Sequence, residues 1–531
     1  MADAAAPPET TLESQSPATG EPLGTVPTTR AGDVADVVRG AANVQRLWAQ
    51  LRIRDRARYM ERAAQAVIDE SADLADLLCR EQGRPRAEVE LMEILPAVET
   101  LQWLAETGPG ILAGDRAPLS RVLRPFTRAR WSYEPLGVVG VIGPATEPFA
   151  TPLGDVAVAL MAGNGVVFKP SPHACLAGER VARVFERAGL PEGLLRVIHG
   201  HADVGGALVE APVAQMRFTG SLTAGRSVGE ACARGLKRSV LELGGKDAAI
   251  VCADANVDRA AHGAVWGAFA NAGQSGGSIE RVFVQQEVSE RFLRTVLAAT
   301  TALVVGDPRA ESTQIGPLVG RERAERVQGL LDDAVARGAV LHTGGPVSVD
   351  GLAGAFVAPA ILTGVTPAMR MWREEVPGPV LSITVVDSEE EAIEGANDCE
   401  LGLGASVWTV DRYKGARIAR ELQVGMVWMN DHMVSRSAPQ IPWGGVRGSG
   451  IGRSRGAIAL RTCAEPKVVT WDPPHGRPFW WFPYDRQVTR AARAITEARS
   501  QRDSDRDRAL RQGTLPALRV VARVVRSLRD R

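Results

Sequence analysis

The chain has 531 residues, too many for one hydrophobic core and enough for two or three domains. Hydrophobic residues make up 45% and charged residues 23%, and Lys plus Arg equals Asp plus Glu at 62 each, so the overall balance points to an ordinary globular protein and away from nucleic acid. No apolar run reaches the roughly 18 residues of a spanning helix, and MADAAAPPETT lacks the basic and apolar regions of a signal peptide. The six cysteines (Cys79, Cys175, Cys232, Cys252, Cys399, Cys463) form no CxxC pair, and the seven His form no ligand-spaced cluster. Reduced thiols, a cytoplasmic protein and no metal are therefore expected.

Residues 1–10 are Ala/Pro-rich and are predicted to be disordered. Residues 34–106 follow a helical period, broken near Gln82-Gly83-Arg84-Pro85. The alternation in SRVLRPFTRARWSYEPL, residues 120–136, predicts a β-ribbon.

From 137 to 251, five β-rich runs alternate with helical ones: GVVGVIGP, GVVFKP, LLRVIHG, QMRFTG and SVLELGG, with helices near 151–161, 174–188, 201–210 and 221–234. That alternation predicts a parallel sheet wound on both faces. Ligands bind such sheets at the carboxyl ends of the strands. Here those ends are Pro144, Lys169, Phe218-Thr219-Gly220-Ser221 and Glu242-Leu243-Gly244-Gly245. A second α/β stretch, 252–430, carries the strand-like runs RVFVQQ, AVLHTGG, VLSITVV and ASVWTV.

The tail is aromatic, then basic. Phe479, Trp480, Trp481, Phe482 and Tyr484 precede a segment, 486–531, with 13 Arg against five acids, a net +8. Leu518, Val521, Val525 and Leu528 share one helical face, with Arg519, Arg523 and Arg526 beside it. Such a helix suits a membrane surface or a partner, and packing within a subunit interface is the alternative reading.

The motifs in order are ATGEPLGTVP, AGNGVVFKPSP, FTGSLTAG, LELGGKDAAIV, FANAGQSGGSIERVFV, EEVPGPV and PWGGVRGSGIGR. Over about residues 12–470 the chain resembles the aldehyde dehydrogenase family. The resemblance implies an α/β fold with a Rossmann-like dinucleotide-binding domain (11–119 and 137–245) and an α/β catalytic domain (246–430). It also implies a small β-ribbon oligomerisation domain (120–136 and 431–470), followed by the 471–531 extension. The cofactor implied is NAD or NADP and the substrate an aldehyde, in a homo-oligomer or a hetero-oligomer with an active relative.

By the same resemblance, Lys169 serves the adenosine ribose and Glu375 the nicotinamide ribose, with Ser171 also in the cofactor set. Pro144, Gly220, Ser221, Gly225 and Leu243 complete the cofactor set, and Glu242 takes the position of the base. Ser221 opens a helix whose free N–H groups suit a pyrophosphate. Pro172 stands where many NAD-preferring members carry an acid, so a 2′-phosphate meets less repulsion. Pro377 replaces a phenylalanine beside the nicotinamide.

The chemical half departs from the pattern. The family's nucleophilic cysteine is Gly276 here, and the oxyanion asparagine is Thr146. Losing an oxyanion donor costs about 10²–10³ in rate, and losing a nucleophile about 10⁶. Ser275 and Ser278 flank the gap without an evident base. The expectation is therefore a chain that keeps its cofactor fold with ordinary aldehyde oxidation impaired or lost. A non-covalent hydride transfer with Glu242 as base, and a scaffold acting through the basic tail, are the alternatives.

Overall fold

The computed structural model describes residues 11–119, 127–433, 437–472, 480–482 and 484–529. The expected disorder of 1–10, the first half of the 120–136 ribbon, Phe479, and the side chains of Arg523, Val525, Arg526 and Leu528 lie outside what it describes.

The chain divides into two compact units. The first, 1–113 with 133–466, opens on an antiparallel hairpin, Thr11–Gln15 with Pro22–Pro27, then helices from Val34 to Leu112 with a left-handed turn at Gly83. Two sheets follow. The first is built from β1 (Val138–Ile142), β2 (Gly165–Lys169), β3 (Leu195–Val197), β4 (Gln215–Thr219) and β5 (Arg238–Glu242). Between them lie α1 (Ala150–Met161) and α2 (Leu222–Arg234).

The second sheet holds β6 (Asp247–Val251), β7 (Ile279–Gln285), β8 (Val340–Val347), β9 (Phe356–Thr363), β10 (Val380–Val386), β11 (Gly404–Trp408) and β12 (Met426–Met429). α3 (Val257–Phe269) and α4 (Arg321–Ala336) flank it. A short strand, β13 (Gly450–Ile451), returns to the first sheet, whose order is β13-β5-β4-β1-β2-β3. Its five long strands are parallel, as the alternation predicts, and only β13 runs antiparallel. The second sheet runs β8-β9-β10-β7-β6-β11-β12, parallel except for β8. β9 and the edge strand β12 carry weak signals that the sequence reading passes over.

The central strands read as unbroken apolar runs because both faces are covered. Gly165–Lys169 is buried throughout, and so is Ile279–Gln285. The register aligns Ile142 with Lys169 and Thr219 with Glu242, so the strand ends the sequence singles out share one edge.

The second unit, 114–132 with 467–531, carries most of a three-stranded sheet of Asp115–Arg116, Arg128–Pro135 and Ala464–Trp471, with Arg128–Pro135 in the middle. It also carries the helices Arg486–Glu497 and Asp503–Arg529. The first is capped by the Asp485 carboxylate, which accepts from Gln487 N and Val488 N. Among the described residues no helix is long and apolar enough to cross a membrane.

Candidate functional site

A cavity of about 550 Å³ opens at the carboxyl edge of the first sheet. Of the residues singled out from sequence, Pro144, Thr146, Lys169, Ser171, Gly220, Ser221, Glu242, Leu243, Gly276 and Glu375 all line it. Gly225 does not. Its α-carbon faces Leu243, and a β-carbon there would stand 2.2 Å from Leu243 Cδ2. Glycine at 225 therefore lets α2 lie on the β5 loop, a packing role.

Lys169 ends β2 and is 5% exposed. Its Nζ donates to Pro170 O at 3.3 Å. Burial pulls the ammonium down to about 8, with Asp203 opposing the shift. Three donors on one head leave capacity for ribose hydroxyls. Ser221 caps α2, its hydroxyl accepting from Ala224 N at 3.4 Å, and with Gly220 it lines the cavity, so α2 begins at the cavity wall. Ser171 caps the next turn, accepting from His173 N. Pro172 and Pro377 both line the cavity. Glu375 is half-buried, and burial with the nearby Glu280 pushes its carboxyl up to about 7.

The loop that carries Gly276 is pinned from several sides. Asn271, in the left-handed region at φ 55°, donates Nδ2 to Thr146 O and its backbone N–H to the Glu88 carboxylate. The Gln274 amide oxygen accepts from Val319 N and Arg323, and its nitrogen reaches Asn271 O. Downstream, the buried Lys246–Glu280 pair anchors Val376 N on Glu280, while Arg281 donates to Lys246 O, Gly395 O and Ala396 O. Ser278 is committed to Gly273 O.

Nothing in this scaffold demands glycine at 276. Its φ lies outside the left-handed region, and a β-carbon there would meet Leu403 Cδ2 at 3.5 Å and Gly244 Cα and Leu243 O at 3.7 Å, ordinary contacts. Thr146 donates its hydroxyl to Glu147 at 3.1 Å, which commits its one proton. The six cysteines are buried, and none lines the cavity.

Glu242 closes β5, is 8% exposed, and its Oε1 has no hydrogen-bond partner among the described residues. Burial and the neighbouring Asp155 raise its carboxyl to about 7, against opposing pulls from Ser454, Arg455 and Arg217. Asp155 and Arg217 form a buried pair, Arg217 Nε donating to Asp155 at 2.7 Å and Nη2 to Ser454 O. Register places Arg217 opposite Val240, hence diagonal to Glu242 on the same face of the sheet.

Sequence reasoning missed Asp155, Arg217, Trp103, Trp443 and Arg455. The first two leave a trace, each being the lone charge in an apolar run, QMRFT and ATPLGDVAVALM. Trp103, Trp443 and Arg455 come to the cavity from distant segments and leave none.

Two parallel α/β sheets with a ligand cleft at the carboxyl edge of the first define an α/β protein built to bind a ligand where its strands end. The aldehyde dehydrogenase family profile matches residues 4–469. A betaine aldehyde dehydrogenase of Rhizobium etli is 36% identical over 464 residues, 87% of this chain and 93% of that protein. The crystal structure of an NAD-dependent aldehyde dehydrogenase from Sinorhizobium meliloti superposes with a TM-score of 0.84 at 32% identity, covering 89% of this chain and 93% of that one. That of a Mycobacterium tuberculosis aldehyde dehydrogenase complexed with NAD+ gives 0.83 at 33% identity, covering 87% and 95%. The chain belongs to the aldehyde dehydrogenase family.

Proposed function

We propose that this chain binds NAD or NADP in the cavity and has lost the covalent route of aldehyde oxidation. The observation that carries this is Gly276: the nucleophile's register is a glycine in a cavity lined by no cysteine. Lys169 and Ser171 would hold the adenosine ribose, the N-terminus of α2 with Gly220 and Ser221 the pyrophosphate, and Glu375 the nicotinamide ribose. Pro144 and Leu243 would wall the nicotinamide. Gly225 would support the same loop by packing. The bound dinucleotide supplies a two-electron hydride acceptor. The absence of an acid at Pro172 is compatible with the extra phosphate of NADP.

A second reading is supported by one observation, the unpartnered Oε1 of Glu242. A buried carboxylate whose proton affinity lies near neutrality is suited to remove a hydroxyl proton. Direct hydride transfer from an alcohol or hydrate would then need no thiol.

Residues 11–119 with 137–245 are proposed as the dinucleotide-binding part, 246–430 as the catalytic part, and 120–136 with 431–470 as oligomerisation segments. A cytoplasmic homo-oligomer or a complex with an active relative fits the family. The tail is a candidate for contact with an anionic membrane, supported by its charge and by exposed Trp481, Phe482, Leu515 and Leu518. Co-sedimentation with vesicles of phosphatidylglycerol, with and without residues 486–531, tests that contact; equal pelleting removes it.

The main test is calorimetric titration with NAD and NADP, then a panel of aldehydes followed at the reduced-nicotinamide band, with Gly276→Cys alongside. Dinucleotide binding with no oxidation through a protein-bound thioester, and that route gained by the cysteine, is expected. Aldehyde oxidation by the native chain through a protein-bound thioester would overturn the main reading.

A further inference from the structure

We propose that the nucleophile this chain lacks arrives with its substrate: the protein oxidises the hydroxyl-bearing adduct that an aldehyde forms with a small external nucleophile, a thiol or water, seated over Gly276. The inference rests on the reading of the cavity as a nicotinamide dinucleotide site.

Three features of the cavity carry it. The first is room. Gly276 lines the cavity, a β-carbon there would meet only ordinary contacts, and the glycine leaves that volume to a ligand. The second is the lack of an internal substitute. Ser278 is tied to Gly273 O, no cysteine lines the cavity, and Lys169 lies at the end of β2. The third is donor–acceptor logic. Glu242 Oε1 is a buried acceptor with no donor among the described residues, which is costly until something fills it.

A free aldehyde presents only an acceptor oxygen, and Thr146 spends its hydroxyl proton on Glu147. A hydrate or hemithioacetal presents an O–H, which fits Oε1. The site as built thus favours a carbinol carbon, H–C–O–H, over a carbonyl.

The step balances. The carbinol C–H bond breaks and its electron pair leaves as hydride to the oxidised dinucleotide, which is reduced by two electrons. The O–H bond breaks, its proton goes to Glu242, and the freed pair forms C=O. The bond to the external nucleophile is kept. A thiol adduct yields a thioester, and a hydrate yields a carboxylic acid. A carboxyl whose proton affinity lies near pH 7 can accept and release that proton at neutral pH.

The test uses the full chain with NAD or NADP, propionaldehyde, and methanethiol present or absent, reading reduced nicotinamide and product mass. A rate that saturates in methanethiol, at least tenfold above the thiol-free rate, with an S-methyl thioester as product, supports the thiol source. Propionic acid formed without thiol supports water as the source. Gly276→Ala fills the seat with a methyl that fits, and should cut either rate at least tenfold with cofactor titration unchanged; an unchanged rate overturns the seating.

A readout free of turnover is 19F NMR titration with trifluoroacetaldehyde hydrate, a stable gem-diol, without dinucleotide. Binding at least fivefold weaker in Glu242→Ala is expected, and equal binding overturns the role of Oε1. If neither arm gives product while Gly276→Cys oxidises propionaldehyde, the inference fails and the dinucleotide reading stands. If calorimetry detects no dinucleotide and Gly276→Cys is also inert, the reading itself fails.

Discussion

The carboxylate of Glu375 rests on the α-carbon of Gly244, so closely that a β-carbon there would lie 2.3 Å from Oε2 and 2.6 Å from Oε1. Two segments that are 131 positions apart in the numbering thus meet with no side chain between them. Gly244→Ala must displace the carboxylate, the mobile partner of the two. The expected result is a five- to tenfold loss of dinucleotide affinity by calorimetry, with the thermal midpoint nearly unchanged. Unaltered affinity would remove Glu375 from the cofactor set.

Asp155, which lines the cavity, and Arg217 beneath it form a buried ion pair. Asp155→Ala leaves a guanidinium without its carboxylate and should cost about 3–5 kcal/mol. The double change Asp155→Leu with Arg217→Met should cost less than that single one, because no charge is stranded. Denaturant unfolding of the three proteins checks the order.

Glu242 makes stability depend on pH in a stated direction. Its folded carboxyl keeps a proton to about pH 7, while in the unfolded chain a glutamate releases it near its ordinary 4.5. Across that window the folded state binds more protons, so stability falls as pH rises, then levels off above pH 7. Glu242→Gln removes this contribution. The variant should gain on the native protein by on the order of 3 kcal/mol between those pH values, read from paired unfolding curves. A flat difference would place the carboxyl outside the low-dielectric floor.

Lys169 carries the opposite sign. Burial depresses its ammonium to about 8, so the free protein loses that charge above pH 8. If the ammonium holds the ribose, dinucleotide binding above pH 8 must take up a proton, and affinity must decline there. Calorimetry in buffers of different ionisation enthalpy should detect the uptake in the native chain and none in Lys169→Met.

Gly276→Cys should fold as the native chain does, because its β-carbon meets only ordinary contacts at 3.5 Å and beyond. Its thiol should react with iodoacetamide faster than the six native cysteines, all of which are buried. Equal labelling of the variant and the native chain would mean the cavity does not reach residue 276.

Much of this molecule is legible in its sequence. The five apolar runs between 137 and 251 specify the strands of the first sheet, because a strand covered on both faces must be apolar along its length. Chain order and parallel pairing then bring Lys169, Ser221 and Glu242 to one edge. The glycine at 276 is plain by register with the family motif.

What the sequence could not give is what each residue faces. Gly225 is chosen from sequence for close approach to phosphate, and the structure shows in addition that it packs against Leu243. Thr146 reads as an oxyanion donor, and its proton is committed to Glu147. The charges of Asp155 and Arg217 meet only when α1 lies across β4. Periodicity fixes which face of an element is buried, since that depends on neighbours in the chain. The partner of a buried polar atom depends on residues that the fold brings together, Asp155 and Arg217 from 62 positions apart, so only the tertiary structure decides what Glu242 Oε1 faces and how much room stands at Gly276.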